Sequence, residues 1–159
     1  MKALSIVLSV IAALLLALMA VFYIGGSLGT DVEVVVTQAQ DAPEAFESAA
    51  QAVRTGHAAQ RFASLEGEGA EDYALAEISV TFNNGGLFAA EWLTFSVSPG
   101  EGDVAVYARS AESLDIPARS SAQLELSLLC MGEDAGAGRA LQIEYYVLGM
   151  KRTAEISID

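Results

Sequence analysis

One histidine, His57, one cysteine, Cys130, and one tryptophan, Trp92, are the scarce side chains of a 159-residue chain that is otherwise rich in carboxylates. His57 follows Gly56 at the end of a helical pattern. No Ser, Asp or Cys stands around it at the spacing of a nucleophile and its base, so it reads as structural or exposed. Cys130 alternates with Leu124, Leu126 and Leu128, the pattern of a strand position where a thiol serves as a small hydrophobe. Its nearest charges along the chain, Glu133 and Asp134, disfavour a thiolate. A lone cysteine also rules out an internal disulfide and a cysteine-based zinc cluster within one chain, leaving only intermolecular pairing. Glu66, Glu68, Glu71 and Asp72, and separately Glu101 and Asp103, offer oxygen ligands for calcium. Neither group follows the EF-hand pattern, and solvated loop acids are the simpler reading. No catalytic, cofactor-binding or metal-binding residue is assigned, no cofactor is implied, and the expectation is a protein that is not an enzyme.

The stretch ISVTFNNGGLFAAEWLTFSV, residues 78–97, is the strongest invitation to read a ligand loop. A phosphate cradle needs a strand, a glycine-rich loop and a helix whose amino terminus faces the anion, with a lysine nearby. Here a second strand follows the loop and no lysine is near. Ile78, Val80 and Phe82 point to one face, and Leu93, Phe95 and Val97 do the same on the next strand. Asn and Gly tolerate left-handed backbone angles, so residues 83–86 are read as the bend between two strands. Trp92 is expected in the core, where an early strand of a sandwich often carries a tryptophan, although the Leu93, Phe95, Val97 set has the opposite parity.

The elements that position these residues begin with an apolar run. Residues 3–24, ALSIVLSVIAALLLALMAVFYI, contain no charge, proline or glycine, and the expectation is a transmembrane helix that holds the lipid bilayer as a partner. Phe22 and Tyr23 are expected at the interface, and Gly25, Gly26, Ser27 and Gly29 supply a flexible exit. Lys2 on one flank keeps the amino terminus cytoplasmic, which makes a single-pass cell-membrane protein of an anchor and linker, 1–30, and an extracytoplasmic domain, 31–159. The alternative is a signal peptide cut after Ser27, giving a secreted domain. The net charge is −13, and residues 31–159 are one unit more negative than the whole because Lys2 is the only charge before Asp31. Such acidity excludes nucleic acid as a partner, since phosphate recognition needs clustered Lys and Arg.

After the linker, Val32, Val34 and Val36 alternate as a strand. Asp41 and Glu44 have capping-box spacing, and Phe46, Ala49, Ala50 and Val53 repeat at helical spacing up to Gly56, which predicts a short helix over 42–55. RFASLEGEGAED, residues 61–72, reads as a loop. Alternating segments at 75–83, 91–98, 103–109, 121–131, 140–148 and 152–158 then follow without a helical pattern between them. Consecutive strands of this kind pair antiparallel, and Gly149 and Met150 are expected to turn the last hairpin. The fold class is mainly β: an N-terminal transmembrane helix, then an antiparallel immunoglobulin-like β-sandwich of about seven strands with one short helix inserted after the first.

ISVTFNNGGLFAAEWLTFSV, followed by LDIPARSSAQLELSLL and LQIEYYVLG, resembles the bacterial and archaeal immunoglobulin-like domains of the CARDB or LEA14/WHy kind over about residues 75–158. The resemblance implies a module that binds or spaces other components and has no catalytic residues to carry over. The resulting expectation is an interaction or structural role in the cell envelope with a protein partner. The alternatives are a subunit of a surface filament or secretion assembly, and behind it a calcium-binding or hydrolytic domain.

Overall fold

The computed structural model describes residues 2–24, 28–65, 69–132 and 138–158. Alternating Val, Ile, Leu and Phe positions form nine strands in two sheets. The strands are β1 (Gly29–Gln38), β2 (Gln60–Arg61), β3 (Tyr73–Asn84), β4 (Ala90–Ser98), β5 (Asp103–Arg109), β6 (Ser113–Ile116), β7 (Ser120–Met131), β8 (Ala140–Val147) and β9 (Met150–Ser157). One sheet has the order β1-β3-β7-β5-β2 and the other β6-β4-β8-β9, and all pairings are antiparallel. The six alternating segments and the leading strand expected from sequence are all present. β2 and β6 are additions, too short for a period-2 pattern to reveal.

The side chains between the sheets come from every second position. Ile78, Val80 and Phe82 of β3 and Leu124, Leu126 and Leu128 of β7 meet Leu93 and Val97 of β4 and Leu141, Ile143, Tyr145 and Val147 of β8. The outer face of the first sheet is covered at one end by helix α2 (Pro43–Thr55), whose Ala49 and Val53 pack on Tyr73, Leu75 and Leu129. Pro43 opens α2 and Gly56 closes it at φ 74°, a left-handed cap that glycine takes without a Cβ clash. The expected capping box does not form. Asp41 ends a short 3-10 turn, and the helix is capped by Ala42 with no side-chain hydrogen bond.

The NNGG bend is held by Asn84, whose side chain is buried. Its amide nitrogen lies 2.9 Å from the Phe88 carbonyl and 3.1 Å from those of Ile116 and Pro117, and its oxygen accepts from Gly86 N–H at 3.0 Å. One amide thus joins the β3–β4 loop to the β6–β7 corner. The last hairpin turns one residue earlier than expected: Val147 pairs with Met150, and Leu148 and Gly149 form the turn at φ 51° and 75°. Positive φ at both positions makes this a type I′ loop, whose twist matches its strands and whose second position favours glycine, here Gly149.

The transmembrane expectation is corrected. The apolar run folds as helix α1 (Lys2–Ile24), and its described side chains, residues 4–20, are all exposed. Among the described residues no helix is long and apolar enough to cross a membrane. The side chains of Phe22 and Tyr23, and residues 25–27 of the linker, lie outside those described.

Asn84→Ala removes a buried amide that serves three carbonyls and an N–H. Leaving such groups unpaired is expected to cost about 2 kcal/mol or more, read as an earlier midpoint in urea at an unchanged slope. An unchanged midpoint would mean that water replaces the amide at no cost.

Candidate functional site

The chain's scarce reactive groups do not converge. Cys130, on β7, is fully buried. Its Sγ donates to Asp103 Oδ1 at 3.2 Å and lies 3.2 Å from Arg139 Nη2. Arg139, 2% exposed, donates Nε to Asp103 Oδ2 at 2.8 Å and Nη2 to Oδ1, and Asp103 also accepts from Gly100 N–H at 2.8 Å. Burial, with the Asp103 carboxylate beside it, pushes the Cys130 thiol up to about 12. A nucleophilic cysteine needs the opposite shift and access to solvent, so this thiol stays protonated and shielded. Asp103 starts β5 in one sheet and Arg139 precedes β8 in the other, which makes the group a clamp between sheets.

The remaining candidates separate as well. His57 is exposed, its Nδ1 2.8 Å from Thr55 Oγ1. Glu101 is exposed while Asp103 is committed to Arg139, so the two acids expected as possible calcium ligands face different environments. Glu71 and Asp72 sit in an exposed 3-10 turn, and Glu66 and Glu68 lie outside the described residues, as do Glu133 and Asp134. Among the described residues no group of three or more His, Cys, Asp or Glu is arranged to hold a metal.

Trp92 departs furthest from expectation. It is 73% exposed rather than in the core. The pairing of β4 slips between Ala90 and Leu93 toward β6 and between Glu91 and Thr94 toward β8, a bulge that turns Glu91 and Trp92 outward together. Trp92 takes φ 53°, and its N–H donates to Asp115 Oδ1 of β6 at 2.7 Å. A left-handed angle costs a bulky L-residue about 1–2 kcal/mol. The bulge lies at the end of the sheet where Glu91 pairs with Tyr146, and the hairpin beyond Tyr146 exposes Leu148 and Met150. Leu87, in the loop entering β4, is exposed as well. Sequence reading missed this end. Its available signal was the spacing of Ala90 and Leu93, three apart in a strand whose inner positions otherwise fall two apart.

No family model matches the chain, and no curated protein matches it. Among solved structures, Northeast Structural Genomics Consortium target SoR45 is similar at 14% identity over 83% of this chain and 83% of its own, with a TM-score of 0.46. The GAE domain of GGA2p from Saccharomyces cerevisiae is similar at 12% identity over 62% of this chain and 96% of its own, with a TM-score of 0.33. An uncharacterized β-sandwich protein from Clostridium difficile 630 is similar at 7% identity over 82% and 86%, with a TM-score of 0.30.

The clamp gives alkaline lability. Cys130 has a folded pKa raised from the ordinary value of 9.0 to about 12, so its contribution is complete below about pH 9 and is lost as pH rises toward 12. Burial raises the Tyr107 and Tyr145 hydroxyls too, in the same sense. Between about pH 8.5 and about pH 11 the melting temperature is expected to fall, and to fall less steeply in Cys130→Ala, where the tyrosines and Lys151, raised by its hydrogen bond to Glu144, remain. Parallel curves for the two proteins would show that the thiol is not linked to folding.

Proposed function

We propose that the chain is an immunoglobulin-like interaction module of the cell envelope, which binds a protein partner through the bulged end of its four-stranded sheet and acts by binding rather than catalysis. The observation that carries the reading is Trp92, the only tryptophan, exposed on a strained bulge. Aromatic side chains at exposed, rigidly held positions are the residues that dominate protein interfaces. Tyr146, Leu148, Met150 and Leu87 around the same end add apolar area, while Glu91 and the ion pair between Lys151 and Glu144, 2.7 Å apart, give it a polar rim.

The immunoglobulin-like assignment is supported by strand order. β1-β3-β7-β5 opposite β4-β8-β9 is the arrangement of the constant-type sandwich, ABED on CFG, with β2 and β6 added at sheet edges and α2 inserted between the first two strands. A place outside the cytoplasm is supported by the exposed apolar run of α1, which an export signal accommodates.

Trp92→Gly separates binding from folding. Glycine relieves the left-handed angle, so the variant is expected to be as stable as the parent or about 1 kcal/mol more stable. It is also expected to lose the proteins that the immobilised parent retains from an envelope extract, as is Tyr146→Ala. Retention of the same proteins by both variants would sink the reading. A marked loss of stability in Trp92→Gly would instead assign Trp92 to the fold.

A further inference from the structure

Each sheet has two outer strands, and three of these four edges are blunted. β2 is two residues long, and β6 is four residues long and lies against the bulge. β9 carries Lys151 and Arg152. Where β4 runs on past β6, the Gln60 side chain occupies its edge, donating Nε2 to the Val97 carbonyl at 2.7 Å and accepting from Val97 N–H at 3.0 Å. These are the devices that keep sheet edges from pairing with other chains. β1 has less of this protection, its only charges being Asp31 and Glu33. It is ten residues long, contains no proline, lysine or arginine, and among the described strands it pairs only with β3. Val35 and Val36 are each 50% exposed.

An open row of backbone N–H and C=O groups is recognised by another strand. Residues opposed in a regular antiparallel pair share one hydrogen-bonding character, which alternates along the strand. A two-fold pairing of β1 with itself must therefore centre on a residue, never between two. Centred on Glu33, it opposes two carboxylates, which is destabilising. Centred on Val34, it pairs residues 30–38 and sets Glu33 opposite Val35 and Asp31 opposite Thr37, so every charge faces an uncharged residue, whereas centring on Val35 also separates the charges but shortens the pairing to 32–38. The Val34 register sets Val36 opposite Val32. Both belong to the inner face, since they pair with Ala76 and Val80 of the buried cluster, and the half-exposed Val36 gains an apolar neighbour.

We propose that β1 is a self-association edge, joining two copies of the chain antiparallel about Val34 into one sheet that runs through both molecules. The surface lies on the sheet opposite Trp92 and does not depend on the partner reading. With each copy at −13, long-range repulsion opposes the pairing, so added salt strengthens it, the reverse of an interface held by ion pairs.

The test is cysteine cross-linking of the full chain, with the buried Cys130 left in place. Val34→Cys, Val35→Cys and Glu33→Cys are each oxidised by oxidised glutathione and followed on non-reducing gels, with circular dichroism to check folding. Val34→Cys opposes itself across the two-fold and is expected to form a disulfide dimer at least about tenfold faster than the other two. Sedimentation equilibrium of the parent is expected to show dimer increasing with sodium chloride. Equal cross-linking at all three positions, as association through α1 would produce, overturns the proposal. So do a parent that stays monomeric at every salt concentration and a Val34→Cys that does not cross-link, the result expected if the edge accepts only a strand of another protein.

Discussion

The carboxylate of Asp103 is the charged group through which the two sheets grip each other. Arg139 reaches it from the position just before β8 with two donors, and Gly100 N–H and the Cys130 thiol complete its shell. A buried ion pair contributes little net stability against an apolar replacement, because desolvation offsets its attraction, but it tolerates no other alignment of its partners. Here the alignment has consequences on both sides. Gly102, just before Asp103, holds φ 78° and lies so close to Met131 that an added Cβ would sit 2.2 Å from its carbonyl oxygen. The Arg139 carbonyl accepts from Ile158 N–H at 2.9 Å, which fixes the end of β9. A chain with one cysteine has no inter-sheet disulfide available, and this contact takes the position-setting part of that role.

Two side-chain amides extend the same logic. Asn84 ties the β3–β4 loop to the β6–β7 corner, and Gln60 reaches from β2 across to β4 of the other sheet. Each supplies hydrogen bonds that no strand is there to make. Buried or edge backbone groups must be paired, so an irregular corner persists only where a polar side chain substitutes for a ladder. The apolar core fixes which faces meet; Asp103, Asn84 and Gln60 fix where the strands begin, end and stop pairing.

The difference between these two kinds of interaction explains what the sequence made legible. Alternation is local, so β1, the six later segments and α2 could be read from their spacing, and the NNGG stretch could be read as a bend. The amide and ion-pair contacts join residues 32 to 37 positions apart, such as Asn84 with Ile116, Asp103 with Arg139 and Gln60 with Val97, and a single sequence carries no local trace of them. β2 and β6 exist through their neighbours, and alternation over two or four residues is not distinguishable from chance. The capping box failed because Asp41 is taken up in a 3-10 turn beside α2. The apolar composition of α1 read as a membrane span, whereas among the described residues no helix is long and apolar enough to cross a membrane.

Trp92 was misplaced for a different reason, and that reason bears on function. Ala90, Leu93 and Val97 are all buried, but in a period-2 strand residues 90 and 93 point to opposite faces. Only an extra residue reconciles them, so the bulge follows from the apolar pattern of β4 itself. Burying Leu93 is worth about 2 kcal/mol, which offsets a left-handed residue somewhere in the bulge. The fold thus accounts for the positive φ at position 92. It does not account for an indole there, since glycine or asparagine would meet the same backbone need at lower strain, and the indole's exposure excludes a contribution from core packing. The backbone geometry belongs to the sandwich. The choice of tryptophan is left to the proposed partner surface to account for.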